Sequence, residues 1–239
     1  MIVGMVYNGY DFGPYLRVNP HRSIAPPVTV ECDEVPGGRG SRFRSARLGP
    51  LTITVDAELR VARGQTVEGL RHMLAPRLCL AEPAPLALPD DPHRYHLAVL
   101  SGESELDTLW ETGEAQLTFV APDPASYGMG GSCAIDREAS VRPGGTVETA
   151  PTIRVVPRAG DGYRVSHAQS GMHVEVLMPF DGATELLIDC AAAHCEVGGA
   201  SADEWVSLDS DYFALNAGAA NDLEATGGAG TVSWVERWL

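Results

Sequence analysis

Between Leu51 and Leu59 the chain alternates strictly. Leu51, Ile53, Val55, Ala57 and Leu59 fall on one face, and Thr52, Thr54, Asp56 and Glu58 on the other. A period of two marks a strand with one side in a core. Val28–Cys32 and Ala115–Val120 alternate in the same way. Arg94–Leu100 reads as a further strand. It follows the turn cluster Pro89-Asp90-Asp91-Pro92, and Ser101-Gly102-Glu103 closes it. Pro122-Asp123-Pro124 ends the next strand, because proline cannot donate to a ladder and restricts the residue before it. At the start of the chain, Ile2–Tyr7 predicts a strand running into Asn8-Gly9, a tight hairpin dipeptide. Val35–Gly40 (VPGGRG) predicts a glycine-dense turn between two strands. One stretch breaks the period of two. Val67, Leu70, Met73, Leu74 and Leu78 recur at helical spacing, with Thr66 as N-cap and Glu68 in the first turn. Gly69 costs this helix about 1 kcal/mol relative to alanine.

Beyond about Ala139 the pattern is all strand. Pro151–Val156, Tyr163–His167, Met172–Leu177, Glu185–Cys190 and Thr231–Glu236 are separated by Gly160-Asp161-Gly162, Ser170-Gly171 and Asp181-Gly182. Short strands at this spacing predict a sandwich. The expectation is a mainly β protein of two domains. Residues 1–130 form an α+β domain, a β-sandwich with one short helix, and residues 139–239 a second β-sandwich. The glycine run Gly128–Ser132 serves as the hinge between them.

Composition narrows the function. Glycine and proline, 26 and 17 of 239 residues, are spread along the chain, as in a many-turned β protein rather than a disordered one. The net charge is −15, and all 17 basic residues are arginine. Residues 1–130 carry 11 Arg against 16 acidic side chains (−5), and the remainder 6 against 16 (−10). Phosphate binding needs clustered cations, so this acidity argues against nucleic acid as a binding partner. Five cysteines, Cys32, Cys79, Cys133, Cys190 and Cys195, are odd in number and widely spaced. They read as free thiols of a reducing cytoplasm, not a disulfide framework. No secretory leader and no membrane span is legible.

Candidate chemistry is thin. VPGGRG lacks the Lys-Ser/Thr ending and the following helix of a phosphate loop. His93 and His96 would point to opposite faces of a strand, against a metal pair. Cys190, His194 and Cys195 match no common zinc spacing. No serine sits in a G-x-S-x-G elbow, and carboxylate pairs drawn from 32 acidic residues carry no information. No catalytic residue, cofactor or metal is expected. Trp205, Tyr212, Phe213, Trp234 and Trp238 concentrate in the C-terminal part. Trp234 shares a strand face with Val232 and Trp238, which favours the core. Trp205 and Tyr212 remain as candidate contacts to a ligand or partner.

Several residues together carry a resemblance. They are the Val35–Gly40 turn, the alternating strand and short helix, the stretch from Leu86 through Pro92 to Tyr95, and Leu117–Pro124. In this order they are similar to the N-terminal domain of the distal tail protein of long, non-contractile-tailed bacteriophages. The C-terminal part resembles the galectin-like jelly-roll sandwich of that family. Tyr212–Asn221 matches its Phe, Leu, Gly and Asn element, and Thr231–Leu239 its closing strand at Trp234 and Arg237. Gly38-Arg39 stands where the family commonly has Arg-Asp. The resemblance implies a structural virion protein and no catalysis. It implies a homohexameric ring at the tail tip, joining the tail tube protein to the tail-tip hub or tail-associated protein, with the galectin-like domains directed toward the receptor-binding protein. Assembly in the host cytoplasm, no membrane contact, and passage of DNA through the ring without specific binding complete the expectation. An alternative is a carbohydrate-binding module that attaches to host-wall glycans through the C-terminal sandwich.

Overall fold

The computed structural model of the 239-residue chain describes residues 4–34, 37–102 and 106–239, with the side chains of residues 106 and 107 not described. Ile2, Val3, Val35, Pro36 and Glu103, which belong to the strand and turns expected above, lie outside the described residues. The protein is mainly β, and its contacts divide it into two compact units: residues 1–127 with Leu239, and residues 128–238.

In the first unit the Leu51–Leu59 strand lies between Leu16–Arg22 and Glu114–Ala121, antiparallel to both. The order continues through Asp91–Leu100, Ala84–Leu88 and Val6–Tyr7 to Tyr10–Asp11. Leu51, Ile53, Val55 and Ala57 are buried, as their alternation dictates, and meet Leu117, Phe119 and Ala121 in one core. Tyr7 packs edge-on against Phe119 and donates its hydroxyl to the Ala98 carbonyl at 3.1 Å. Asn8 (φ 48°) and Gly9 (φ 73°) close the first hairpin with two left-handed residues in succession, the geometry that matches strand twist. The expected helix spans Val67–Leu78. Its Thr66 side chain accepts the Gly69 amide at 3.1 Å, and Leu70, Leu74 and Leu78 are buried. A second helix, Leu106–Thr112, is one that the sequence pattern did not predict, and its buried Leu109 joins the same core. At seven residues it is too short for periodicity to reveal.

The second unit is a sandwich. One sheet orders Ala200–Ser201, His194–Val197, Leu186–Asp189, Thr152–Pro157, Gly228–Trp238 and Ser126–Ile135. The other orders Glu138–Val141, Asn221–Ala225, Gly160–His167 and His173–Phe180. Ile153, Val155, Val165, Val174, Val176, Ile188 and Val232 fill the space between them. The glycine run expected as a hinge is part of the Ser126–Ile135 strand. Its glycines serve packing: a Cβ on Gly131 would lie 2.5 Å from the Trp234 ring, and one on Gly128 2.3 Å from that of Trp238. Trp234 packs against the core with its indole N–H buried and without a partner. Among the described residues no helix is long and apolar enough to cross a membrane.

Candidate assembly surfaces

The first unit carries a two-stranded ribbon, Val28–Glu34 paired with Ser41–Leu48. Directly opposed residues of an antiparallel pair share a face. Val28 opposes Leu48, Val30 opposes Ala46 and Cys32 opposes Phe43, so six apolar residues line one side. Thr29–Arg47, Glu31–Ser45 and Asp33–Arg42 line the other. A bulge creates this segregation. Register shifts between Glu31 and Cys32, and Arg44 is the extra residue. Simple alternation would put Phe43 opposite in sense to Ala46 and Leu48. The bulge returns it to their face.

No apolar side chain of this ribbon is covered. Every residue of both strands is exposed except the half-buried Ser45, with Phe43 63% and Val30 55% accessible. An isolated hairpin is marginal in water, and an uncovered apolar stripe marks an interaction site. The polar face is knitted by Ser45 Oγ donating to Glu31 at 2.9 Å and by a long Arg44–Asp33 pair at 3.9 Å. Sequence alone located the first strand. It missed the stripe because the bulge is invisible in the pattern.

In the second unit Trp205 ends a short 3-10 turn, Asp203–Trp205, and is 45% exposed, with Leu208 fully exposed beyond it. Tyr212 is placed differently. It packs against the sandwich core, its hydroxyl 3.4 Å from Cys195 Sγ, and burial raises its pKa. Cys195 is buried while its neighbour His194 points outward. His194 Nδ1 meets Asp203 at 2.7 Å and Nε2 meets Glu196 at 3.3 Å, so both ring nitrogens are engaged. Burial pushes the Cys190 thiol up to about 12, far from nucleophilic use at neutral pH. His93 is exposed and His96 buried, on opposite sides of one strand. Burial lowers the His96 pKa, and the Arg22 guanidinium, 3.4 Å from Nε2, lowers it further. The structure brings none of these groups together around a reactive centre.

Residues 10–121 match the family model described as the phage tail protein RIFT-related domain, and residues 144–238 that of the siphovirus-type tail component, C-terminal domain. Among solved structures the chain is similar to the Dit protein of phage SPP1, described as a paradigm of hub adsorption apparatus in phages infecting Gram-positive bacteria. The TM-score is 0.81 at 20% identity, over 99% of this chain and 99% of that one. A chain of the phage P2 baseplate in its activated conformation with Ca gives a TM-score of 0.52 at 9% identity, over 98% and 97%. The corresponding baseplate with Sr gives 0.51 at 10%, over 92% and 90%. These likenesses establish the fold. No curated protein sequence matches the chain.

Proposed function

Because the chain belongs to the siphovirus-type tail components, as a distal tail protein, and is thus a structural part of the phage tail, we propose that it acts at the tail tip as a homohexameric ring. The ring joins the tail tube protein to the tail-tip hub and its tail-associated protein. The second units are free to meet a receptor-binding protein. The observation that carries this reading is the ribbon: an apolar stripe from Val28 to Phe43 that this chain leaves uncovered. A patch on one copy that meets a different patch on the next is a heterologous contact, and such contacts make a ring where the rotation closes. Assembly belongs in the host cytoplasm, where five free thiols persist. With −15 per chain and no lysine, the ring also lets duplex DNA pass without sticking.

Native mass spectrometry of the full chain tests the ring. The expected species is six times 25.4 kDa. Phe43→Asp should abolish it while leaving the monomer's thermal midpoint within a degree or two, because the side chain is exposed. A monomer at every concentration, alone and with the tube and hub proteins, would refute the ring. A hexamer that survives Phe43→Asp would refute the ribbon as its interface. Tight binding of duplex DNA at physiological salt would refute the sliding lumen.

The exposed Trp205 favours a second reading, in which the sandwich binds host-wall glycans by ring stacking. Saturable binding on a glycan array, lost in Trp205→Ala, is the expected result. Silence across wall polysaccharides removes the reading.

A further inference from the structure

We propose that His173, Glu175 and Asp209 form a divalent-cation site in the second unit, suited to a borderline transition ion such as Zn²⁺. His173 and Glu175 stand two apart on the edge strand His173–Phe180, so both leave the same face, while Val174 and Val176 point into the core. The segment after the 3-10 turn is laid along this strand. Ser207 N donates to the Glu175 carbonyl at 2.8 Å, Asp211 N to the His173 carbonyl at 2.8 Å, and Glu175 N to Ser210 Oγ at 3.0 Å. These bonds fix Asp209 over the pair. One ligand atom from each of the three side chains lies within 4.8 Å of the other two.

An independent observation points to a ligand. His173 Nε2 is sealed from solvent and has no hydrogen-bond partner, although the nearest carboxylate oxygen, Asp209 Oδ2, is 3.7 Å away. That gap is too long for a hydrogen bond. It is close to the ~3.3 Å that separates two ligands of a tetrahedral ion with bonds of ~2.0 Å. An imidazole nitrogen with two carboxylates selects Zn²⁺ and its neighbours over Ca²⁺ and Mg²⁺, which take oxygen ligands. One cation already faces the site: Arg164 Nη1 on the adjacent strand is 3.9 Å from Glu175 Oε2. A pair that long and partly exposed is given up at little cost. The His194 cluster offers no rival, since both its ring nitrogens are taken. Bound, the ion would fasten the segment that carries the exposed Trp205 and Leu208 to the sandwich edge.

Calorimetric titration of ZnCl₂ into the full, untagged chain tests this. Cys32→Ser and Cys79→Ser form the background, because those two thiols are exposed and compete for zinc. One ion per chain is expected, with Asp209→Asn and His173→Gln each weakening binding at least about tenfold. Millimolar Ca²⁺ should not displace it. Asp209 is exposed, so its variant folds whether or not the site is real. No binding by the parent at Zn²⁺ up to about 1 mM, or unchanged affinity in Asp209→Asn, overturns the proposal.

Discussion

Asn221 Oδ1 lies 3.1 Å from His167 Nε2, and both side chains are sealed from water. The same oxygen accepts the Asn216 amide at 2.7 Å. The Asn221 amide nitrogen donates its two hydrogens to the carbonyls of Ala219 at 3.0 Å and Asn216 at 3.1 Å, and lies 3.4 Å from that of Val141. Since Oδ1 can only accept, His167 carries its proton on Nε2, and Nδ1 accepts from Ser170 Oγ at 2.9 Å. One side chain thus satisfies the backbone of the segment entering the Asn221–Ala225 strand and pins it to the neighbouring hairpin.

Asn221→Ala strands a buried imidazole N–H and the buried Val141 carbonyl, and should cost about 3 kcal/mol. Urea unfolding followed by tryptophan fluorescence reads it, since Trp205, Trp234 and Trp238 all belong to this unit. A loss under about 1 kcal/mol would show that water replaces these bonds.

Gly131→Ala should cost about 1–3 kcal/mol, because its Cβ would fall 2.5 Å from the Trp234 indole. The loss should be smaller in a Trp234→Leu background, a coupling that a double-mutant cycle detects. Trp234→Phe alone should be mild, because it deletes a buried N–H that has no partner.

Removing the helix cap with Thr66→Ala should cost about 1 kcal/mol of first-unit stability, and Thr66→Ser almost nothing. Thermal unfolding followed by circular dichroism distinguishes the two. Equal losses would mean that the 3.1 Å bond to Gly69 N is not what stabilises the helix start.

The His194–Asp203 pair gives stability a pH window. The Asp203 side chain raises the His194 pKa above its ordinary 6.5. The Cys195 amide, with His194 second, lowers the Asp203 pKa below its ordinary 3.8. The histidine contribution is complete below 6.5 and lost as pH rises through the raised value. The carboxylate contribution is present above 3.8 and lost as pH falls through the lowered value. The difference in melting temperature between the parent and His194→Gln should therefore peak near pH 5 and shrink by pH 8.5. A difference independent of pH would mean that the ring acts only by packing.

Local pattern was enough to find the Leu51–Leu59 strand, the Thr66-capped helix and the Asn8-Gly9 turn, because each is set by neighbours in sequence: a period, a cap, a left-handed pair. Residue order also carried the likeness to phage distal tail proteins. The Ser126–Ile135 strand escaped that reading, since its glycines look like a hinge until Trp234 and Trp238 are seen lying on them. The apolar stripe on the ribbon depended on Arg44 bulging out of register. Likewise, His173, Glu175 and Asp209 meet only because backbone bonds fold residues 207–211 back along an edge strand. Spacing along a chain fixes which way a side chain faces within its own element. Which faces end up covered, and which distant groups share a place, is settled by long-range pairing and packing, where a single bulged residue or a missing Cβ changes the answer.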